Sequence, residues 1–324
     1  MIFETLPSAP RADELIDKAF SRAARAGRAK STMEAQQSML TIAVNITSDN
    51  LENVVTAWPD FDYVDPFYYE LADAIVDVDE LRQSLSEVMW ASRQIEEIGR
   101  EYQPKLRRTD PETARKHRKQ AFARIADIMD EIADDLLAVG EARDALKSLP
   151  DIRPDEPAIV IAGYPNVGKS SFVNHVTNAR NEIAEYPFTT KGVQIGHVER
   201  DHIRYQLIDT PGLLDRPEAE RNDIERQAVG AIEYLADAVL FFVDPSGDCG
   251  YPLDVQLELR DSVVARFAER DVPVVTIATK SDRSTDVDAD AYMSVTEDEG
   301  IDAVLDLAID AVGFEPELPS RENT

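Results

Sequence analysis

The amino-acid sequence predicts an amino-terminal helical bundle followed by an α/β domain with a mainly parallel sheet. Residues 1–150 show apolar residues at three- and four-residue spacing and no strand-like alternation. Residues 148–157 then hold three prolines and four charged residues, which is typical of a linker. Beyond them, short β-branched runs alternate with helical stretches. We therefore expect a helical domain at 1–150, a second domain at 151–314 and a flexible tail at 315–324.

Apolar stripes predict four or five helices in the first domain. One helix is expected around residues 15–20 and a long one over residues 33–58, and further stripes cover residues 81–98 and 122–139. Four prolines are expected at the joints between helices: Pro59, Pro66, Pro104 and Pro111. Because each helix has one apolar face, the helices must bury these faces against one another, which favours a bundle.

Four short apolar runs predict the strands of the second domain. They are AIVIAG (158–163), YQLID (205–209), AVLFFVD (238–244) and VPVVTIAT (272–279), and helical stretches separate them. This alternation predicts a parallel sheet that is covered by helices on both faces.

The charge composition indicates an acidic surface that is solvated throughout. The 324 residues include 63 acidic and 34 basic side chains, and the acids are scattered rather than gathered in a tail, which gives a net charge of −29. Such self-repulsion needs screening by salt, so the composition resembles that of a halophilic protein. In such a cytoplasm an acidic net charge does not exclude RNA as a partner.

The composition also disfavours several classes of site. A lone cysteine, Cys249, excludes an intrachain disulfide framework and a thiolate zinc cluster, and the four histidines lack metal-ligand spacing. We interpret Cys249 as a small buried apolar residue rather than a reactive thiol. No apolar run reaches the roughly 18 residues of a membrane span, and the first residues lack a signal-peptide pattern. We therefore expect a cytoplasmic protein without a membrane partner.

The most specific motif opens the second domain. Residues 163–170 form the pattern G-x-x-x-x-G-K-S between a predicted strand and a predicted helix, which is the context of a P-loop. In such a loop, backbone N–H groups point at phosphate oxygens, Lys169 supplies charge to the β- and γ-phosphates, and Ser170 offers a hydroxyl to Mg²⁺. The alternative is a chance pattern in a glycine-containing loop, which the flanking elements disfavour.

Two further motifs indicate which nucleotide binds. Asp209-Thr-Pro-Gly212 ends a predicted strand, where the carboxylate can reach Mg²⁺ through water and the glycine N–H can contact the γ-phosphate. Asp282, in Thr279-Lys-Ser-Asp282, can accept both the ring N–H and the amino group of guanine, which favours GTP over ATP. Thr279 stands where GTPases usually have Asn, so a contact to the base or the P-loop is expected to be weaker.

Between these motifs lies a segment with the composition of a first switch. It reads Tyr186-Pro-Phe-Thr-Thr190, and a hydroxyl here is expected to ligate Mg²⁺, with Thr190 as the first choice and Thr189 as the alternative. Incidental threonines at the start of a strand are the competing interpretation. Lys169, Thr190 and Gly212 are the expected catalytic residues. The residues expected at the nucleotide are Gly163, Tyr164, Pro165, Asn166, Val167, Gly168, Lys169, Ser170, Ser171, Phe188, Thr189, Thr190, Asp209, Gly212, Thr279, Lys280, Asp282, Ser294 and Val295.

Several strings of the sequence resemble the Nog family of nucleolar-type GTP-binding proteins, relatives of the Obg GTPases. They are GYPNVGKSS, EYPFTTKG, DTPGLLDRPEAERNDIE and DPSGDCGYPLDVQ, and WPDFDYVDPFYYELAD (58–73) is similar to the family's amino-terminal domain. The resemblance reaches about residue 314 and does not cover the long carboxy-terminal extension of eukaryotic members. It implies a P-loop GTPase domain at 151–314 and a role in assembling the large ribosomal subunit, with GTP, GDP, ribosomal RNA or ribosomal proteins as partners.

Hydrolysis of GTP is expected to be slow. Leu213 follows Gly212 where other GTPases place a water-orienting glutamine, and Arg216 and Arg221 are expected to form surface ion pairs rather than to act as an arginine finger. Some related GTPases use an asparagine at the position of Asn166 to hold K⁺ in the place of that arginine. The alternative is that Asn166 only shapes the loop through backbone hydrogen bonds.

Two clusters of basic residues are expected to contact a partner. Arg22, Arg25, Arg28 and Lys30 lie in an acid-free stretch, and Arg115, Lys116, Arg118 and Lys119 form a second cluster. Contact with the phosphates of ribosomal RNA is one interpretation, and pairing with acidic patches of the same bundle is the other. The whole chain is thus expected to be a GTP-controlled ribosome-assembly switch or, alternatively, a regulatory GTPase whose bundle binds a protein effector.

Overall fold

The computed structural model describes residues 2–28, 30–147, 153–177, 182–184, 193–210, 214–215, 220–221 and 223–314. The chain divides into two compact units, Met1–Val64 with Ile75–Lys147, and Asp65–Ala74 with Ser148–Thr324. Residues 65–74 therefore group with the second unit, although they lie inside the helical domain predicted at 1–150. The predicted tail at 315–324 lies outside the described residues.

Six helices precede the sheet in the described part of the chain, rather than the four or five predicted. They are α1 (Ala12–Gly27), α2 (Thr32–Thr56), α3 (Pro66–Val76), α4 (Val78–Arg107), α5 (Pro111–Glu131) and α6 (Ala133–Lys147). One additional helix arises because the stripe over residues 122–139 is interrupted at Ile132, whose φ of −98° and ψ of 12° end α5. Another is α3, which corresponds to none of the predicted stripes. Ile132 is buried in the same core as Met129 and Leu136, so the apolar stripe continues across the break.

The prolines differ in what they do to the helices. Pro111 occupies the first turn of α5, where Asp110 caps the N–H groups of Glu112 and Thr113 at 3.0 and 3.1 Å. The prediction of a joint at Pro104 is wrong, because this residue lies inside α4. It is exposed at the start of the last turn, where the missing N–H removes a single hydrogen bond and buried Leu106 still anchors the end of the helix.

The core of the helical unit lies where α1, α2, α4 and α5 pack together. Small residues bring α2 and α4 close, since a Cβ on Gly99 would lie 3.0 Å from a methyl group of Val44. The same two helices are joined by a buried hydrogen bond from the Ser92 hydroxyl to the carbonyl oxygen of Ser48, at 3.0 Å. The bundle is thus held by both apolar contact and a satisfied polar pair.

The second unit is built on a seven-stranded sheet of order β2-β3-β4-β1-β5-β6-β7. The strands are β1 (Ala158–Ala162), β2 (Glu182–Ala184), β3 (Val193–Arg200), β4 (Ile203–Asp209), β5 (Ala238–Val243), β6 (Val274–Ala278) and β7 (Ala291–Tyr292). The four predicted strands correspond to β1, β4, β5 and β6, which pair in parallel. β3 pairs antiparallel with both β2 and β4. Since the remaining described pairs are parallel, the sheet is mainly parallel.

The central strands position the site. Every residue of β1 and β5 is buried, as expected for parallel strands covered on both faces by α7 (Lys169–Val176), α8 (Asp223–Leu235), α9 (Leu253–Ala268) and α10 (Ile301–Val312). The chain runs from β1 outward to β4 on one side and to β5 on the other. This reversal opens a crevice at the carboxyl end of β1, where ligands bind in folds of this class.

Candidate nucleotide-binding site

The P-loop joins β1 to α7 and contains three residues with positive φ. Gly163, Asn166 and Gly168 have φ values of 126°, 65° and 107°. At Gly163 a Cβ would lie 2.4 Å from the carbonyl oxygen of Phe242, so only glycine fits this close approach. These conformations wrap the backbone into a concave loop that ends at the amino terminus of α7, a geometry that binds anions.

Lys169 is held inside this loop. Its side chain is 7% exposed, and its ammonium group donates to the carbonyl oxygens of Gly163 at 2.6 Å and Tyr164 at 3.0 Å. These bonds fix the positive charge at the concave face of the loop, where it can bind phosphate oxygens.

Ser170 and Asp209 meet beside the P-loop, although 39 residues separate them in the sequence. The Ser170 hydroxyl donates to Oδ2 of Asp209 at 2.5 Å. Asp209 ends β4 and is fully buried, and this burial raises the pKa of its carboxyl group despite the opposing effects of Ser170 and Lys169.

The same pair has the chemistry of a magnesium site. Oδ1 of Asp209 is buried and makes no hydrogen bond within the described ranges. A buried acceptor without a donor is costly unless a cation or an ordered water binds it. Since Mg²⁺ prefers oxygen ligands and keeps several waters, the Ser170 hydroxyl and the Asp209 carboxylate fit this ion.

A cavity of ≈ 480 Å³ opens between the P-loop and the neighbouring strands. It is lined by Pro165, Asn166, Gly168, Lys169, Ser170, Ser171, Gln194 and Asp215. Gln194 and Asp215 were absent from the residues predicted at the site. Gln194 lies on β3 directly opposite Asp209 on β4, and only the pairing of these strands brings it to the cavity.

Six residues named in the sequence analysis lie outside the described residues. They are Phe188, Thr189, Thr190, Gly212, Leu213 and Arg216. Arg221 is described, and the surface position expected for it is wrong, because it is only 6% exposed. It lines a second cavity that also includes Glu233 and Glu258.

The residues predicted to bind the base lie at the ends of β6 and β7. Thr279 donates its hydroxyl to the carbonyl oxygen of Val243 at 3.1 Å, which ties β6 to β5. Oδ1 of Asp282 accepts a hydrogen bond from the Ser294 hydroxyl at 2.6 Å, and Ser294 is buried. The structure therefore brings together the two motifs that the sequence predicted separately, with Val295 half-buried beside them.

Asp244 is a site residue that the sequence reasoning missed. Its carboxylate is fully buried and accepts from the Lys280 ammonium at 2.6 Å, the Ser246 hydroxyl at 2.5 Å and the Cys249 N–H at 2.8 Å. Burial by itself would raise the pKa of Asp244, but these hydrogen bonds outweigh burial and lower it. The available signal was a carboxylate directly after the apolar run of a central strand.

The loop after Asp244 connects the residues that are predicted to bind the guanine base with the P-loop. Gln256 bonds both backbone groups of Asp244, at 2.7 and 3.0 Å, and donates to the carbonyl oxygen of Tyr251 at 2.8 Å. The ring of Tyr251 stacks on the ring of Tyr164 in the P-loop, with centroids 4.2 Å apart. Cys249 is buried in this loop, and burial raises the pKa of its thiol, which agrees with the predicted unreactive role.

The two basic clusters differ in how they are used within the bundle. Arg22, Arg25, Arg28 and Lys30 are all exposed, and Lys30 donates to the Ser38 hydroxyl at 3.1 Å. In the second cluster, Arg115, Lys116 and Lys119 are exposed. Pairing with an acid of the bundle occurs for Lys116, whose ammonium lies 3.6 Å from Glu112. Arg118 is half-buried, with its guanidinium 5.0 Å from the ring centre of Phe122.

Comparison with known proteins gives two family matches along the chain. Residues 3–153 match the NOG1 N-terminal helical domain, and residues 158–280 match a family described as 50S ribosome-binding GTPase. An uncharacterized protein of Methanocaldococcus jannaschii is 37% identical over 291 residues, which cover 86% of this chain and 81% of the relative. Nucleolar GTP-binding protein 1 of Eremothecium gossypii is 33% identical over 88% of this chain, which spans 46% of that protein.

A solved structure extends the comparison. It is nucleolar GTP-binding protein 1 from Plasmodium falciparum, 29% identical, with a TM-score of 0.46 over 51% of this chain and 90% of that chain. Among the helices of the described residues, none is both long and apolar enough to cross a membrane. The predicted family, fold class and GTPase activity are confirmed by the order of the two matched domains and by the relatives. The chain belongs to the Nog family of GTP-binding proteins, in which a helical amino-terminal domain precedes a GTPase domain.

Proposed function

We propose that this GTPase is a slow, GTP-controlled switch that binds precursors of the large ribosomal subunit in the cytoplasm through its helical unit. The observation that carries the proposal is the basic end of an otherwise acidic bundle, and this end consists of residues 21–39 and 101–120. The family descriptions quoted above agree with it. The nucleotide site supplies the switch and the bundle supplies the docking surface.

Four helix ends meet at this basic end. The rings of Phe20 on α1 and Phe122 on α5 stack with centroids 4.3 Å apart. Met39 on α2 contacts Gly27 at the end of α1, and its sulfur accepts from the Arg118 guanidinium at 3.4 Å. Helix packing therefore brings both basic clusters to one end of the bundle.

The end of α4 belongs to the same region. Gln103 on α4 donates to the carbonyl oxygen of Gln37 on α2 at 3.2 Å, and the ring of Tyr102 lies 6.3 Å from that of His117 on α5. Together, residues 21–39 and 101–120 contain eleven Lys and Arg against four Asp and Glu, whereas the whole chain has 34 against 63. This local reversal of charge complements a phosphate backbone, and on this basis RNA is the proposed partner.

The nucleotide site supports a magnesium-dependent GTP switch. Ser170, Asp209 and Thr190 are the groups that would hold Mg²⁺, which neutralises charge on the β- and γ-phosphates when bound. Leu213 has no polar group with which to orient an attacking water, so we expect hydrolysis to be slow. Slow hydrolysis suits a switch whose output is a bound or released state.

Sedimentation of salt-matched extract tests the proposal. The chain should migrate with large-subunit particles when loaded with a GTP analogue. Replacing Arg22, Arg25, Arg28 and Lys30 together with Gln should lower the particle-bound fraction by about tenfold or more, because each lost phosphate contact weakens binding strongly. GTP affinity should not change.

A charge-matched control separates this surface from general electrostatics. Arg11, Lys18, Arg93 and Lys147 are also exposed in the bundle, and replacing them with Gln removes the same charge. The control should keep its association with the particles. If the wild-type chain does not sediment with particles in any nucleotide state, the ribosomal role is wrong. The favoured interpretation is then a regulatory GTPase whose bundle binds a protein effector.

A further inference from the structure

A second buried oxygen in the nucleotide cavity makes no hydrogen bond within the described part of the chain. It is Oε1 of Gln194, on β3. Gln194 pairs across the sheet with Asp209, and residues directly opposite in antiparallel strands have their Cβ atoms about 4.5–5.5 Å apart on one face. The two side chains therefore stand next to each other. Gln194 lines the cavity together with Ser170, which is the hydrogen-bond partner of Asp209.

The two unpaired atoms beside Ser170 are both hydrogen-bond acceptors. Oδ1 of Asp209 and Oε1 of Gln194 are both buried acceptors, and neither has a donor within the described residues. The Ser170 hydroxyl already donates to the other oxygen of Asp209. Buried acceptors are normally satisfied, so this pair calls for donors beyond the described residues, which a bound water can supply.

We propose that Gln194 is a positioning residue for magnesium, whose carbonyl oxygen accepts a hydrogen bond from a water bound to the ion. Mg²⁺ keeps several of its waters in protein sites, and each of these waters offers donors that must find acceptors. Asp209 supplies one such acceptor, and Gln194, its partner on the neighbouring strand, supplies another. The inference rests on the magnesium-dependent nucleotide binding proposed above.

The consequence is a defined loss of metal affinity. Removing an outer partner of a metal ligand typically lowers affinity 10- to 100-fold. We expect Gln194→Leu to raise by about tenfold the free Mg²⁺ concentration that half-maximally slows the release of GDP. Release in excess chelator should stay as in the wild type, because the phosphate and base contacts are intact. Gln194→Glu keeps an acceptor and adds negative charge, so its midpoint should lie at or below that of the wild type.

The experiment measures release of a fluorescent GDP from the full chain across micromolar to millimolar free Mg²⁺. Glu199→Gln is the matched control, because Glu199 is exposed on the same strand and away from the cavity. Thermal unfolding of each variant verifies that it is folded before release is compared.

The outcomes separate the inference from the proposal on which it rests. If wild-type release does not depend on Mg²⁺, the magnesium site itself is wrong. If it does, and Gln194→Leu has the wild-type midpoint, only the role of Gln194 is overturned. Faster release by the same factor with and without Mg²⁺ also overturns it, because that result indicates a structural role alone. A Gln194→Glu protein that behaves like Gln194→Leu would count against it as well.

Discussion

Recognition of the base depends on a few side chains whose partners lie far apart in the sequence. The Thr279 hydroxyl donates to the carbonyl oxygen of Val243, so Thr279 supports the sheet. Asp282 accepts from Ser294 with one oxygen, and a carboxylate has about four acceptor positions in total. Asp282 therefore retains the capacity to accept both donors of guanine, and Asp244 supports the neighbouring Lys280.

Replacing Asp282 with Asn should shift the preference of the site from GTP to xanthosine triphosphate. The amide offers a donor where the carboxylate offered an acceptor, and xanthine presents an oxygen where guanine has its amino group. We expect the ratio of the two affinities to change by about 10³-fold or more, because sites that hydrogen-bond a substrate group discriminate strongly. Competition of each nucleotide against fluorescent GDP measures this ratio.

Ser294→Ala provides the comparison for this experiment. It removes the hydrogen bond to Asp282 and keeps the carboxylate, so it should bind GTP less tightly while still preferring it. An Asp282→Asn protein with an undiminished preference for GTP would show that the base is recognised elsewhere.

Among the elements, the P-loop contains an asparagine, Asn166, for which there are two possible roles. Asn166 has a φ of 65°, and Asn adopts this left-handed region more readily than most residues, so the shape of the loop alone favours it. Asn166 also lines the nucleotide cavity beside Lys169. Both the structural role and a role toward potassium therefore fit the loop, and an experiment has to distinguish them.

GTP turnover should be faster in potassium chloride than in sodium chloride at equal ionic strength. A cation near the β- and γ-phosphates would take over part of the stabilisation that an arginine supplies in other GTPases, where it is worth about 10³- to 10⁵-fold in rate. We expect a stimulation of about tenfold or more, measured as phosphate release under single turnover.

Asn166→Gly is the informative variant for this prediction. Glycine tolerates the positive φ and removes the side chain, whereas alanine would also strain the loop. The variant should lose the potassium stimulation and keep its basal rate in sodium. Equal rates in both salts for the wild type, or full stimulation in the variant, would exclude the role of Asn166.

Element boundaries were less predictable than the elements themselves. Pro104 was expected at a joint, yet it lies inside α4, whose end is held by the buried side chain of Leu106. The stripe over residues 122–139 was expected to be continuous, yet the chain turns at Ile132 while the stripe stays in one core. In both cases tertiary packing outweighed the local signal.

On the scale of the whole molecule, the charge of −29 is spread over both units. Repulsion between exposed carboxylates weakens the folded state, and salt screens it over a Debye length of about 10 Å at 0.1 M. The basic end of the bundle stands out against this background, because the exposed Arg22, Arg25, Arg28 and Lys30 lie there.

Raising potassium chloride from low ionic strength to the molar range should raise the unfolding temperature. We expect a rise of roughly 5–10 °C, which corresponds to a few kcal/mol for a chain of this size. Circular dichroism of the nucleotide-free chain measures it. Sodium chloride should have the same effect, because screening does not distinguish the two cations, and an unfolding temperature independent of salt would contradict the prediction.

The sequence by itself determined the features that are encoded by neighbouring residues. The glycines and the lysine of the P-loop, the four central strands and most helices of the bundle follow from contiguous patterns, because φ preferences and apolar spacing act over a few residues. The weakly apolar strand β3 and the two-residue strand β7 escaped prediction, since their stability comes from pairing with neighbours.

Only the tertiary structure decided which distant residues share a site. Gln194 reaches the cavity through its pairing with Asp209, and Asp244 reaches Lys280 because β5 and β6 are neighbours in the sheet. The basic clusters of α1 and α5, about 90 residues apart, come together through the stacking of Phe20 on Phe122. Strand register and helix packing depend on the fit of buried surfaces across the whole unit, and no local pattern of residues records that fit.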